Sequence, residues 1–120
     1  KGDLFDIEKS IKILNDLSKY DNAQSIVIVN GYIIAIEAAE GTDKLLSRTY
    51  YIRNKLNQIK DKKGILVKIP KKRQCKLVDL PVIGPTTINL IKKANLNGIA
   101  IDLKHTMVES KNKTLKLIND

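Results

Sequence analysis

Glu37-Ala38-Ala39-Glu40-Gly41-Thr42-Asp43 sets three carboxylates within seven residues. The stretch follows an Ile/Val-rich run and precedes a segment whose apolar residues recur at helical spacing, so it marks a strand-to-helix junction. Carboxylates are the hard oxygen donors that a divalent cation takes. Gly41 lets backbone approach a ligand, Thr42 suits a helix N-cap, and the first helical turn offers unpaired N–H groups at the positive end of a dipole. A metal-bound phosphate fits such a corner. The plainer alternative is that Glu40 and Asp43 only cap and complement the helix start. Glu37 is different, because a carboxylate ending an apolar strand needs a buried partner such as Lys, Arg or a metal.

A second chemical stretch runs through Pro70-Lys71-Lys72-Arg73-Gln74-Cys75-Lys76 into Asp79-Leu80-Pro81-Val82-Ile83-Gly84-Pro85-Thr86-Thr87. The basic connector reads as a solvated loop or as a surface for anions. Gly84-Pro85-Thr86-Thr87 reads as a plain helix start or as a second anion site, since Pro85 is well placed in a first turn and Gly84 permits close approach. Cys75 is the single cysteine and His105 the single histidine. No internal disulfide can form, an intracellular setting follows, and the distance in sequence from Cys75 to His105 argues against a Cys–His enzyme.

The elements that must position these residues are legible from periodicity. Residues 6–19 carry Ile7, Ile11, Leu14 and Leu17 on one helical stripe, with Asp3 or Asp6 as cap. Ser25 to Val29 and Tyr32 to Glu37 are strands joined by Asn30-Gly31, the preferred two-residue hairpin turn. Both are apolar on both faces, which predicts central positions covered by helices. Residues 42–60 form the longest helix, with Leu45, Thr49, Ile52, Leu56 and Ile59 as its buried side and Gly64 beyond its end. Ile65 to Ile69 is a strand carrying Lys68. Ile88, Ile91 and Ala94 mark a further helix, Ile99 to Leu103 and Thr106 to Val108 are strands, and Ser110 to Ile118 is a last helix. The order predicts an α/β fold: a mixed sheet with an antiparallel hairpin, flanked by helices.

The 120 residues suit one domain, and 42% hydrophobic with 29% charged residues fits a globular fold. No apolar run reaches the ~20 residues of a membrane span. The chain opens Lys1-Gly2-Asp3 without an initiator Met or signal pattern, and is expected to be one domain of a longer protein. A net charge of +9 implies anionic partners. With four Tyr, one Phe and no Trp, stacking platforms for single-stranded nucleic acid are poorly supplied.

Taken together, the two junctions resemble the C-terminal half of the LpxI family of UDP-2,3-diacylglucosamine pyrophosphatases. The resemblance rests on Gln24, on Glu37 to Asp43 with Arg48 following, on Leu66-Val67-Lys68, and on Gln74, Asp79-Leu80-Pro81, Gly84-Pro85 and Thr87. It ends with Leu96-Asn97-Gly98-Ile99-Ala100. It implies a hydrolase dependent on Mg2+ (or Mn2+), splitting UDP-2,3-diacylglucosamine into UMP and 2,3-diacylglucosamine 1-phosphate at the cytoplasmic face of the inner membrane. It also implies a two-domain protein of which this chain is one half, inactive when isolated. Asp79, Asp43 and Glu40 are then the expected catalytic and metal-holding residues. Gly41, Thr42, Arg48, Lys68, Gln74, Gly84 and Thr87 are the expected phosphate-binding ones. The family pattern has an Asp after the connector glutamine and an Arg two places later, where this chain has Cys75 and Leu77, and Lys104 stands where Gly is common. The alternative reading is a non-catalytic basic α/β domain that binds phosphorylated lipid or nucleotide.

Overall fold

The computed structural model describes residues 2–18, 25–58, 60–69, 82–101 and 107–108. Its elements are α1 (Gly2–Ser18), β1 (Ser25–Val29), β2 (Tyr32–Ile36), α2 (Thr42–Lys55), β3 (Ile65–Lys68), β4 (Val82–Ile83), α3 (Pro85–Lys93), β5 (Gly98–Ile101) and β6 (Met107–Val108). The expected α/β fold is present. A four-stranded mixed sheet has the order β2-β1-β3-β5, with β1 antiparallel to both neighbours and β3 parallel to β5. β4 and β6 form a separate parallel pair; β6 falls within the strand expected at Thr106 to Val108, whereas β4 and the pairing were not expected. The expected helix at 110–118 lies outside the described residues.

Strand alternation sorts the core into two layers. Ile26 and Ile28 of β1 and Ile65 and Val67 of β3 meet Leu14 of α1. Val27, Val29 and Leu66 point the other way and pack with Leu45 and Leu46 of α2 and Ile88 and Ile91 of α3. Every residue of β1 and β3 is buried, as two-sided apolar strands require.

β2 departs from the expectation of a central strand. It is an edge of the sheet, and Tyr32 is 79% exposed. An apolar composition on both faces reports helix cover, not pairing on both edges. Asn30 and Gly31 form the expected turn, both with positive φ (49° and 83°). Asp6 does not cap α1, which already begins at Gly2. Its buried carboxylate instead accepts the Gly31 N–H at 3.3 Å, fastening the helix to the hairpin tip.

α2 is shorter than expected. It ends at Lys55, with Asn57 in the left-handed region at φ 59°, and its buried stripe is Thr42, Leu45, Leu46, Thr49 and Arg53. Leu56 is exposed, and Ile59 lies outside the described residues. Arg53 is the cause. Fully buried, it donates to the carbonyls of Ala94 (2.6 Å), Asn95 (3.0 Å), Gln58 (2.8 Å) and Asp61 (2.9 Å), which turns the chain back around its guanidinium.

Candidate active site

The sheet register places Ser25 opposite Lys68, and Lys68 beside Ile101. Ile36 pairs with Ile26, and the Glu37 N–H continues the ladder onto the Ser25 carbonyl at 2.9 Å. The carboxyl ends of β2, β3 and β5 therefore lie at one end of the sheet, together with the start of β1. Helices α2 and α3 both begin over this end, because a hydrogen bond of 2.7 Å from Thr87 Oγ1 to Asp43 Oδ1 joins their first turns. Ligands of α/β sheets bind at such carboxyl ends, and paired helix starts favour an anion.

Lys68 is the centre of charge here. Alternation puts it on the same face as Leu66, under α2, and it is only 4% exposed. Its Nζ donates to Thr42 Oγ1 at 2.5 Å. The Thr42 hydroxyl donates in turn to Glu37 Oε1 at 3.0 Å and lies 3.2 Å from Ser25 Oγ. Burial pushes the Lys68 ammonium below the ordinary lysine pKa, while the Glu37 and Asp43 carboxylates pull it back up. A buried cation between two carboxylates and two hydroxyls can bind the oxygens of a phosphoryl group.

The junction loop differs from a simple capped helix start. The N-cap of α2 is Gly41, at φ 90°, and no side chain caps the helix. Glycine suits that left-handed geometry. Thr42, favoured by sequence for the cap, is the first helical residue, with its hydroxyl drawn inward to Lys68. Glu40 accepts the Ala38 N–H at 2.9 Å through Oε1 and pairs with Arg48 at 3.0 Å through Oε2. The Ala38 hydrogen bond and the Arg48 charge hold its carboxyl below the usual carboxylate range. Arg48 also donates to the Ile36 carbonyl at 3.1 Å. Glu40 and Arg48 are thus engaged with the loop itself.

Gly84 is the buried N-cap of α3, extended at φ −145°, and Pro85 occupies the first turn. The structure thus brings together Thr42, Asp43, Lys68 and Thr87, sets Gly41 and Gly84 at the two helix starts, and turns Glu40 and Arg48 toward the loop. Gln74 and Asp79, with Cys75, lie outside the described residues. Among the described residues no three His, Cys, Asp or Glu side chains converge as a metal cage. Ser25 was not anticipated, and its only signal is alternation, which puts it on the same face as Val27 and Val29.

No helix among the described residues is long and apolar enough to cross a membrane. The whole chain, residues 1–120, matches the family model described as the LpxI C-terminal domain. The UDP-2,3-diacylglucosamine pyrophosphatase LpxI of Caulobacter vibrioides is similar, with 31% identity over 116 residues that cover 96% of this chain and 41% of that protein. The chain thus spans less than half the length of the curated relative it matches. On the match over its full length, it belongs to the LpxI C-terminal domain family.

Proposed function

We propose that the chain is the C-terminal part of a UDP-2,3-diacylglucosamine pyrophosphatase of lipid A biosynthesis, working with an N-terminal domain of the same protein at the cytoplasmic face of the inner membrane. The observation that carries this reading is the buried Lys68, hydrogen-bonded to Thr42 at the point where two helix starts meet the carboxyl ends of the strands. The family match and the similarity to the Caulobacter enzyme support this substrate class.

The residues suit a divalent cation of the Mg2+ or Mn2+ type. Such an ion takes one or two carboxylates and completes its shell with substrate phosphates and water, so no protein cage is needed. Asp43 offers a carboxylate on an exposed residue, with one oxygen fixed by Thr87, the kind of support that ligating carboxylates have. Asp43, together with Asp79, would hold the ion. When bound, it neutralises charge on the pyrophosphate oxygens.

Hydrolysis breaks one P–O bond of the pyrophosphate bridge and forms one from water, whose protons are shared between solvent and products. The products are UMP and 2,3-diacylglucosamine 1-phosphate. Lys68 binds a phosphoryl oxygen and offsets the charge that builds as the bridge breaks. The N–H groups of the α2 start, after Gly41, cradle the same phosphate, with those after Gly84 beside them. Asp79 orients the water, and Gln74 contributes from the connector. Glu40 and Arg48 shape the loop that presents Gly41 and Thr42.

The reading is tested with Asp79→Asn in the full-length protein, assayed for UMP release. Loss of turnover by a folded protein is expected, and near-normal turnover would remove Asp79 from the site. A folded wild-type protein that binds the lipid without releasing UMP would favour the non-catalytic binding domain that Cys75 and Leu77 suggest.

A further inference from the structure

The hydrogen bonds around Thr42 have a fixed polarity. A lysine ammonium can only donate and an ionised glutamate can only accept, while a threonine hydroxyl has one hydrogen and two lone pairs. Since Thr42 Oγ1 accepts from Lys68 and gives its hydrogen to Glu37, the contact to Ser25 at 3.2 Å has one direction left. Ser25 donates and Thr42 accepts. The hub is thus saturated: two donors point in and one acceptor receives the hydroxyl's hydrogen bond.

Each member reaches the hub from a different element. Ser25 opens β1, Glu37 follows β2, Thr42 opens α2 and Lys68 closes β3. Ser25 and Thr42 are buried, as is Lys68, and Ser25 and Lys68 are directly paired across the sheet. Turning the Thr42 hydroxyl away from Glu37 would set its hydrogen against either the Lys68 ammonium or the donating Ser25 hydroxyl, so Glu37 and Ser25 together hold the acceptor toward the lysine.

We infer that Ser25 and Glu37 are positioning residues, which lock the Thr42 hydroxyl as the acceptor that aims Lys68 at a phosphoryl oxygen of the substrate. Thr42 takes one of the three N–H groups of the ammonium and leaves its direction defined. Glu37 additionally supplies the negative charge that a lysine so deeply buried requires. This inference rests on the proposed role of Lys68 as the phosphate-binding cation.

The test compares Thr42→Val, Thr42→Ser, Ser25→Ala and Glu37→Gln in the full-length protein, by UMP release and by calorimetric titration with inorganic pyrophosphate in Mg2+. Thermal unfolding by circular dichroism confirms that each variant is folded. Thr42→Val is expected to lose ~10- to 100-fold in kcat/KM, as loss of a supporting hydrogen bond typically does. Thr42→Ser, which restores the hydroxyl, returns to within a few-fold of wild type, and Ser25→Ala and Glu37→Gln fall between. Pyrophosphate affinity follows the same order. Wild-type kcat/KM in Thr42→Val and Glu37→Gln, or a Thr42→Ser as impaired as Thr42→Val, would overturn the inference. Should Thr42→Val fail to fold, Ser25→Ala decides, and wild-type values in it count against the hub. Should wild-type protein release no UMP, the proposed function fails, and the pyrophosphate series alone judges the hub. A wild type that neither releases UMP nor binds pyrophosphate would sink both.

Discussion

The Thr87 hydroxyl donates to Asp43 Oδ1 at 2.7 Å across 44 positions of sequence, and so joins the first turn of α3 to the first turn of α2. One carboxylate oxygen is thereby fixed in place over the carboxyl ends of the strands. At the other pole, Arg53 on α2 grips the carbonyls of Ala94 and Asn95 just past α3. The two helices are held in parallel by one polar contact at their starts and another at their ends.

If Asp43 holds the cation, its orientation by Thr87 matters to the rate. Thr87→Val should reduce UMP release ~10- to 100-fold and stability by about 1 to 2 kcal/mol. Asp43→Asn should reduce turnover at least as much. Unchanged turnover in a folded Thr87→Val protein would mean that Asp43 needs no such support.

Arg53 is a matter of stability alone. Removing the guanidinium takes a donor from four carbonyls, of which Asn95 and Gln58 keep a backbone N–H, and leaves a hole between α2 and α3, so Arg53→Met should cost on the order of 3 kcal/mol or more. Arg53→Lys should recover little, because an ammonium cannot reproduce the planar fork. Urea denaturation of the three proteins decides it, and a loss below ~1 kcal/mol would show the clamp to be incidental.

Lys68 makes stability depend on pH. Burial lowers its pKa in the folded chain, so below the ordinary lysine value the unfolded chain binds the proton more readily than the folded one. Stability then rises as the pH climbs from the lowered pKa toward the ordinary one. In Lys68→Met this rise should disappear while UMP release is lost, and the comparison of the two pH profiles isolates Lys68 from the other lysines. Parallel profiles would show that the folded environment does not disfavour the charge.

Glu40 and Arg48 should behave as a unit. Because Arg48 holds both Glu40 and the Ile36 carbonyl, Glu40→Ala, Arg48→Ala and the double variant are expected to lose similar amounts of activity. Kinetics of the three variants test this. Losses that multiply would instead mean independent roles, such as a direct phosphate contact by Arg48.

Much of this architecture could be read from residue pattern. Asn30-Gly31 announced the hairpin, and two-sided apolar strands announced helices on both faces of the sheet. The strand carrying Lys68 was also expected, though which helix covers Lys68 came only with the fold. The misreadings arose where a tertiary partner overrode a local preference. Thr42 is a good cap by composition, yet Gly41 takes that position and the Thr42 hydroxyl goes to Lys68. The helix expected to run to residue 60, with Leu56 and Ile59 inward, ends at Lys55 instead, because Arg53 is buried among carbonyls. Ser25 carries no local signal of function, and its role depends on which residue the register sets opposite. The expected roles of Gln74 and Asp79 concern residues outside those described.

The central claim, that a metal-dependent pyrophosphatase site is built around Lys68 and Asp43, is tested most directly by UMP release from UDP-2,3-diacylglucosamine. The full-length protein is assayed with Mg2+ and with the metal chelated, alongside Lys68→Met and Asp43→Asn. Release that requires Mg2+ and falls sharply in both variants is the predicted result. Release that persists in chelator, or in folded variants lacking Lys68 or Asp43, would contradict it.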